Sequence, residues 1–472
     1  MISSPWRSKG VYSVPTPQKH PPKQLLRVLG GWDAAAIVVG TIIGSGIFLV
    51  PSTMASEVGS APMVLLVFVV GGLLTLGGAL TYAELGAAMP HAGGEYVFLR
   101  EAYGPLWSFL YGWMLFWVGK SGALAALGTA FFLYLANFWP GLEATFFVVP
   151  LPLGAGGAPL EVRYGQISAM GLILGLGWLN YFGVKLGARV QTSVTALKIV
   201  LILTIVILAA VLGGGKAANL VSTVEHTGGL SGFFAALVAA LWAYDGWNNM
   251  TMVSGEVRNP HRNIPRALIF GVLAVMLIYL VTNVAYFYAL PAAAVASTDR
   301  VASEAAAQFL GEGGRDAVAI AAMISIFAAL NGSLLSGARV PYAMARDKYF
   351  FTALGRVHDR YLTPHVALMA QSSWAALLVL SGRYEQLFTL VIFAAWIFYG
   401  MTAASVFVLR RKRPDMKRPY RTLGYPLVPA LFVFMAGSLV IMTLFKSPRE
   451  SLTGLLLIAI GVPFYKYWKK RA

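Results

Sequence analysis

Two stretches place polar and glycine residues where the surrounding sequence is apolar. The first is Gly40-Thr41-Ile42-Ile43-Gly44-Ser45-Gly46, and the second is Trp242-Ala243-Tyr244-Asp245-Gly246-Trp247-Asn248-Asn249. The chemistry they suit is recognition. Three glycines within seven residues can stop a helix and restart it, because glycine takes backbone angles that other residues resist. The interruption frees N–H and C=O groups that hydrocarbon cannot satisfy. A restarted helix aims amide hydrogens at a carboxylate, here those of Ser45 and Gly46. The carbonyls that end the preceding segments, near Ile42 and Trp242–Ala243, attract an ammonium. An α-amino acid carries both groups and fits both ends. Alternatively, the Gly40–Gly44 spacing only lets two helices pack closely, as GxxxG-like pairs do in many membrane proteins. The first stretch alone does not separate these readings. The matching interruption in the second favours a site.

Charged residues inside apolar runs are the next candidates. Lys198 sits in Thr195-Ala-Leu-Lys-Ile-Val. A lysine at the bilayer centre costs roughly 2.5–3.5 kcal/mol on insertion scales and faces the protein interior with a partner. It lies too deep in its run to snorkel to the interface. Asp245 could meet a substrate ammonium or polar side chain, or cap the restarted helix. Lys120, beside Ser121, could face a pocket or pair with Asp245. Arg339, Glu84 and Asp33 stand nearer the ends of their runs and read as gate pairs or interfacial anchors. Trp242 is either a gate or a packed aromatic, and Trp396 and Tyr399 could close the outer side of a pocket. Asn331 and Ser333 read as partners for neighbouring helices.

These residues need elements to hold them. The chain has 472 residues, of which 58% are apolar and 12% charged, against roughly 25% charged in soluble domains. Soluble enzymes, secreted disulfide scaffolds and disordered chains are excluded. A membrane-spanning helix needs roughly 20 mostly apolar residues. Twelve runs meet that length, at about 33–56, 62–89, 104–138, 165–183, 190–212, 230–253, 265–290, 316–345, 364–381, 384–409, 424–445 and 451–468. The predicted fold is an all-α integral membrane protein. Residues 1–31 form a basic, proline-rich arm expected to lack fixed structure. Residues 32–410 hold the first ten runs, and 411–472 hold the last two with a basic tail. Of the 36 Lys and Arg, 26 fall at the termini or in loops on one side, and seven on the other. That asymmetry puts both termini in the cytoplasm of a multi-pass cell-membrane protein. The net charge of +17 is therefore a topology signal rather than a nucleic-acid footprint.

The interrupted runs are the first and the sixth, and each opens a set of five. An odd number of spans gives the two sets opposite orientation, and paired broken helices in inverted halves mark a transporter's central site. No cysteine is present, which excludes disulfides and thiolate metal sites. All six histidines (20, 91, 226, 261, 358 and 365) lie outside the apolar runs, and no GxxxxGK[ST] loop occurs. A secondary carrier therefore outweighs a membrane enzyme or an ATP-driven pump. A channel or a nutrient sensor on the same fold is a further alternative.

Four stretches resemble the L-type amino acid transporter branch of the amino acid–polyamine–organocation superfamily. They are Gly40–Phe48, Tyr82–Gly104 (YAELGAAMPHAGGEYVFLREAYG), Trp242–Ala267 and Asn331–Arg339 (NGSLLSGAR). The resemblance spans about residues 25–412. It implies twelve helices in a five-plus-five inverted repeat (LeuT-like), discontinuous first and sixth helices, and a peripheral last pair. It also implies sodium-independent transport by alternating access, most often exchange of neutral L-amino acids. A proton-coupled symporter and a cationic amino acid or polyamine carrier are the alternatives. By position, Ile42, Ser45 and Gly46 match the family's binders of the substrate carboxylate and amino group. Ala243 and Asp245 fall in a stretch that contacts substrate, and Trp242 falls at an aromatic gate. Lys198 resembles a tethered substitute for the sodium of coupled relatives, reaching carbonyls near Gly44 and the Ser325 hydroxyl. Many animal members have glycine or serine at Asp245, so their side-chain selectivity does not transfer. They also bind a heavy-chain subunit through a cysteine that this chain lacks, which implies a stand-alone carrier. No cofactor or metal is expected.

Overall fold

The computed structural model describes residues 25–150, 159–224, 228–380 and 384–471. Residues 1–24 of the expected arm, with His20, His226 and Arg383, lie outside them. The chain enters as α1 (Gly31–Ile42) and α2 (Gly46–Val58), two halves of one apolar run that meet at 40°. Ser60 then caps α3 (Ala61–Ala88) through the Met63 amide, with Pro62 in the first turn. A short α4 (Glu95–Tyr103) leads to α5 (Pro105–Met114), a π-helical stretch at Leu115–Gly119 and α6 (Lys120–Leu135). Beyond an antiparallel hairpin, β1 (Thr145–Val149) with β2 (Leu160–Arg163), come α7 (Tyr164–Tyr181) and α8 (Val184–Leu212).

The second half opens with α9 (Gly229–Ala243) and a single-turn α10 (Asn249–Met252), followed by α11 (Pro260–Ala289). Two short helices, α12 (Ala292–Ala296) and α13 (Val301–Leu310), precede α14 (Glu312–Gly337) and its continuation α15 (Arg339–Arg346). The rest is α16 (His365–Val379), α17 (Tyr384–Lys412), α18 (Leu427–Lys446) and α19 (Pro448–Lys469). Among the described residues, eight helical stretches are long and apolar enough to cross a membrane, or nine with the bent α1–α2 pair. The sixth run falls short of a full span because the turn at residues 244–248 ends α9 after 15 residues.

Burial sorts these helices. The α5–α6 and α14–α15 stretches are 78% buried across their apolar windows, and α8 is 22% buried. The first two stand at the centre, and α8 turns Leu197, Val200, Ile207 and Val211 outward. Such an apolar exterior is stable only in lipid. Helix α1 is wrapped by α8, α11 and α14, and α2 lies along α9.

The end of the bundle where α1 begins is tied down by polar contacts. The Val28 and Leu29 amides donate to the Glu256 carbonyl at 2.8 and 2.9 Å, and the Arg258 amide returns a bond to Leu29. Arg27 reaches the Val257 and Pro90 carbonyls. The last residues of the arm, expected to be unstructured, thus form a parallel bridge to the loop before α11. Beneath it, Arg339 and Glu256 form a two-pronged ion pair at 2.6 and 3.0 Å, both fully buried. Glu84 accepts from Arg410 and from the Thr422 amide and hydroxyl. Asp33 caps α1 at Gly30 and accepts from Thr192. Of the three charged residues read as gate pairs or anchors, Arg339 and Glu84 form ion pairs and Asp33 makes hydrogen bonds.

Candidate functional site

Both interruptions are present, and they touch. After Ile42 the backbone leaves helical geometry at Ile43 and resumes at Gly46. A Cβ on Gly46 would lie 2.6 Å from the Ala243 Cα, so a side chain here would force the breaks apart. Gly246 has φ +103°, and a Cβ there would lie 2.9 Å from the Thr41 carbonyl oxygen. The Thr41 hydroxyl donates to the Gly246 carbonyl at 2.8 Å, joining the two breaks directly. Gly40 does something else: its missing side chain makes room for Gln191 and Thr195 of α8. The packing reading holds for that glycine, while Gly46 and Gly246 serve the breaks.

A cavity of about 40 Å³ opens between the breaks. Ile42, Gly44, Ser45 and Gly46 line it from one side, and Trp242, Asp245 and Gly246 from the other. Thr41, Lys120 and Ser333 complete the polar lining. Among the described residues, the amides of Gly44, Ser45 and Gly46 find no acceptor, and the buried Ser45 hydroxyl has no partner. These are the free donors at the start of a helix, where negative charge is favoured. Ala243 packs behind the cavity against Gly46 and does not line it. Its carbonyl and that of Ile42 both accept from the Tyr279 hydroxyl of α11, at 2.8 and 3.0 Å. Tyr279 was not among the sequence candidates. A phenol in an apolar run says only that its buried hydroxyl needs some partner, and the sequence does not name it.

Lys198 is fully buried behind the first break. Its ammonium donates to the Gly40 carbonyl at 2.7 Å and to the Ile43 carbonyl. The Ser325 hydroxyl donates to the same Ile43 carbonyl at 2.9 Å and to that of Gly44 at 3.4 Å. The expected trio of Lys198, Gly44 and Ser325 therefore meets at one point, with Ile43 as the oxygen shared by both donors. Among the described residues no carboxylate pairs with Lys198, so backbone oxygens alone receive its charge. Asn331 bonds Asn180, Gln191 and the Gly187 carbonyl, as a helix-bridging amide does.

On the other side, Asp245 accepts from the Tyr399 hydroxyl at 2.8 Å. Lys120 donates to the Asn249 side-chain oxygen, and the Asn249 amide reaches Ser333. Lys120 faces the cavity and makes no ion pair with Asp245. Trp396 stacks on Phe432 and lies 5.8 Å from the Tyr399 ring. Trp242 lines the central cavity and also a groove of about 580 Å³ between α2, α9 and α18 at the far end of the bundle. It is the residue the two linings share.

A buried carboxylate that sequence reading missed lies just beyond Asn248. Glu95, the first residue of α4, accepts from the hydroxyls of Tyr82 and Tyr111 and from the Asn248 amide. Burial pushes its carboxyl up to about 7, against the pull of those three donors. Its position between two apolar runs gave no cue to burial. Among the described residues, no group of three or more His, Asp or Glu could hold a metal ion.

The amino acid permease family model matches residues 29–464. The chain is 33% identical to the serine/threonine exchanger SteT of Bacillus subtilis (strain 168), over 95% of this chain and 98% of that protein. It is 32% identical to the b(0,+)-type amino acid transporter 1 of Homo sapiens, over 95% and 89%. Identity to the human cystine/glutamate transporter is 31%, over 95% and 87%.

Proposed function

The chain belongs to the amino acid permease family, and from that premise we propose that it exchanges neutral L-amino acids across the cell membrane by alternating access, without sodium. The observation that carries this reading is the cavity between the two breaks. One wall offers unsatisfied amides and the orphan Ser45 hydroxyl, and the facing wall carries Trp242 and Asp245. A substrate carboxylate seats on the amides of Ser45 and Gly46. Its ammonium turns to the Ile42 carbonyl at the end of α1, whose second lone pair remains beside the Tyr279 hydroxyl. Trp242, between cavity and groove, is the gate that moves to admit substrate from the far end.

Sodium independence follows from Lys198. Its ammonium and the Ser325 hydroxyl already fill the carbonyl cluster of Gly40, Ile43 and Gly44, where a coupling cation would need oxygen ligands. The transporter reading includes twelve spans in two inverted sets of five, with α7, α9–α10 and α16 completing the count. It also places both termini in the cytoplasm and needs no disulfide-linked subunit, since the chain has no cysteine. Uptake into proteoliposomes tests it. A labelled neutral amino acid should enter quickly only when unlabelled amino acid is inside, at a rate indifferent to sodium. Uptake that needs sodium would overturn the role of Lys198. Accumulation driven by a proton gradient into amino-acid-free vesicles would replace exchange with symport.

A further inference from the structure

Relatives of this chain are named for different substrates, so side-chain choice must lie in its own cavity residues. Two of those carry opposite charges. Lys120 is the first residue of α6, after the π-helical stretch, and is 7% exposed. π-helical turns inside α-helices often mark functional positions. The neighbouring helix is hollowed to admit the lysine: a Cβ on Gly337 of α14 would lie 2.5 Å from the Lys120 Cγ. The ammonium has three donor hydrogens. Among the described residues, one is taken by Asn249 and no carboxylate lies within ion-pair distance. The charges that act on it are those of Asp245 and Glu95. Of these, Asp245 lines the same cavity and spends one oxygen on Tyr399.

The cavity therefore presents an ammonium with spare donors and a carboxylate with spare acceptor capacity, set apart rather than paired. A cationic side chain entering there is repelled by Lys120, and an anionic one by Asp245. An aliphatic side chain offers neither the buried Lys120 nor the half-buried Asp245 a partner, and a site built to hydrogen-bond a side chain rejects one that cannot. A neutral group that both donates and accepts satisfies the two at once, donating to Asp245 and accepting from Lys120. Hydroxyl and carboxamide groups have that character. Leu127 and Trp242 are the bulkiest apolar side chains of this lining and bound the space for the substrate side chain.

We propose that Lys120 and Asp245 together read the substrate side chain, and that the substrates carried are small amino acids bearing a hydroxyl or a carboxamide. This rests on the exchange reading above. The test is homo- and hetero-exchange in proteoliposomes with serine, threonine, asparagine, alanine, valine, lysine and glutamate, read as a ranking rather than a rate. Wild type should favour serine, threonine and asparagine over valine by at least about tenfold. Lys120→Met should flatten that preference and raise lysine relative to serine, because Asp245 then acts alone. Asp245→Asn should raise glutamate relative to serine. Monodispersity on size exclusion accompanies each variant; should one fail to fold, the opposite charge preference of the other carries the test. If wild type exchanges no amino acid, the transport reading itself fails. If it exchanges valine or leucine better than serine, or both variants keep the wild-type ranking, exchange stands and the two-charge reader is overturned.

Discussion

Lys198 shows how much one buried side chain can hold. Two carbonyls of the first break receive its ammonium, and among the described residues Ser325 is the other side chain that donates to one of them. An unsatisfied buried acceptor costs about 1–3 kcal/mol, and here the acceptors shape the break itself. Lys198→Ala is expected to reduce exchange to less than about a tenth of wild type, a loss of more than about 1.4 kcal/mol, while the protein still inserts. Uptake normalised to the monodisperse fraction measures it, and wild-type uptake would remove the proposed role. Added sodium should recover part of the activity of this variant, since the freed oxygens of Gly40, Ile43 and Ser325 suit a small cation. Lys198 was legible in the sequence because a charge in an apolar run has few destinations. Tyr279 was not, because a tyrosine fits an apolar run as it stands and its hydroxyl acquires meaning only when α11 meets both breaks. Lys120 was legible as a candidate but not in role, since its direction depends on the rotation of α6 and on the space that Gly337 leaves.

The broken helices were legible from glycine placement, though the three glycines of the first stretch turned out to have separate duties. Gly40 receives α8, Gly46 admits the second break, and Gly44 has only ordinary contacts, with a Cβ there 3.4 Å from Ala329 and Leu127 side chains. Gly44→Ala should therefore leave thermal stability in detergent near wild type. Gly246→Ala combines a left-handed backbone angle with a contact to backbone, and is expected to cost about 1–3 kcal/mol and to lower the melting temperature. Equal destabilisation by both would contradict this division of labour. Helix α4 supplies a pH effect. Glu95 has its carboxyl raised by burial from an ordinary 4.5 to about 7. Its stabilising contribution is complete below about pH 4.5 and is lost as pH rises through about 7, on the order of 3 kcal/mol across the window. The melting temperature of wild type should thus fall between pH 5 and 8 more than that of Glu95→Gln. Parallel curves would show that the Tyr82, Tyr111 and Asn248 donors fully offset the burial.

The two ends of the whole molecule are closed by different means. At the end where α1 begins stand the Leu29–Val257 bridge, the buried Arg339–Glu256 pair and the Glu84–Arg410 contact. At the far end, a wide groove runs down to Trp242. Overall architecture was legible to the extent that apolar length is a local property: among the described residues nine of the twelve expected stretches pass on that basis, while α7 and α16 fall short and the sixth run is shortened by its break. Arg339 was legible as one half of a gate pair but its partner was not, since Glu256 lies 83 residues away and meets it through the packing of α14 beside α10. Their pairing makes the near end the costlier one to open. Removing one partner of a buried ion pair leaves the other charge uncompensated, worth about 3–5 kcal/mol, and that burden falls on the closed arrangement alone. Glu256→Gln should therefore shift the population toward a conformation open at the near end, because a change of that size can invert a two-state balance. The absence of native cysteine makes the shift measurable. A single Ser333→Cys, placed on the cavity wall, should react with a charged thiol reagent faster from the near side when Glu256→Gln is added. Trp242→Ala should instead speed its reaction from the far side. Labelling rates that do not change, or that change on the same side for both variants, would mean that neither contact gates the cavity.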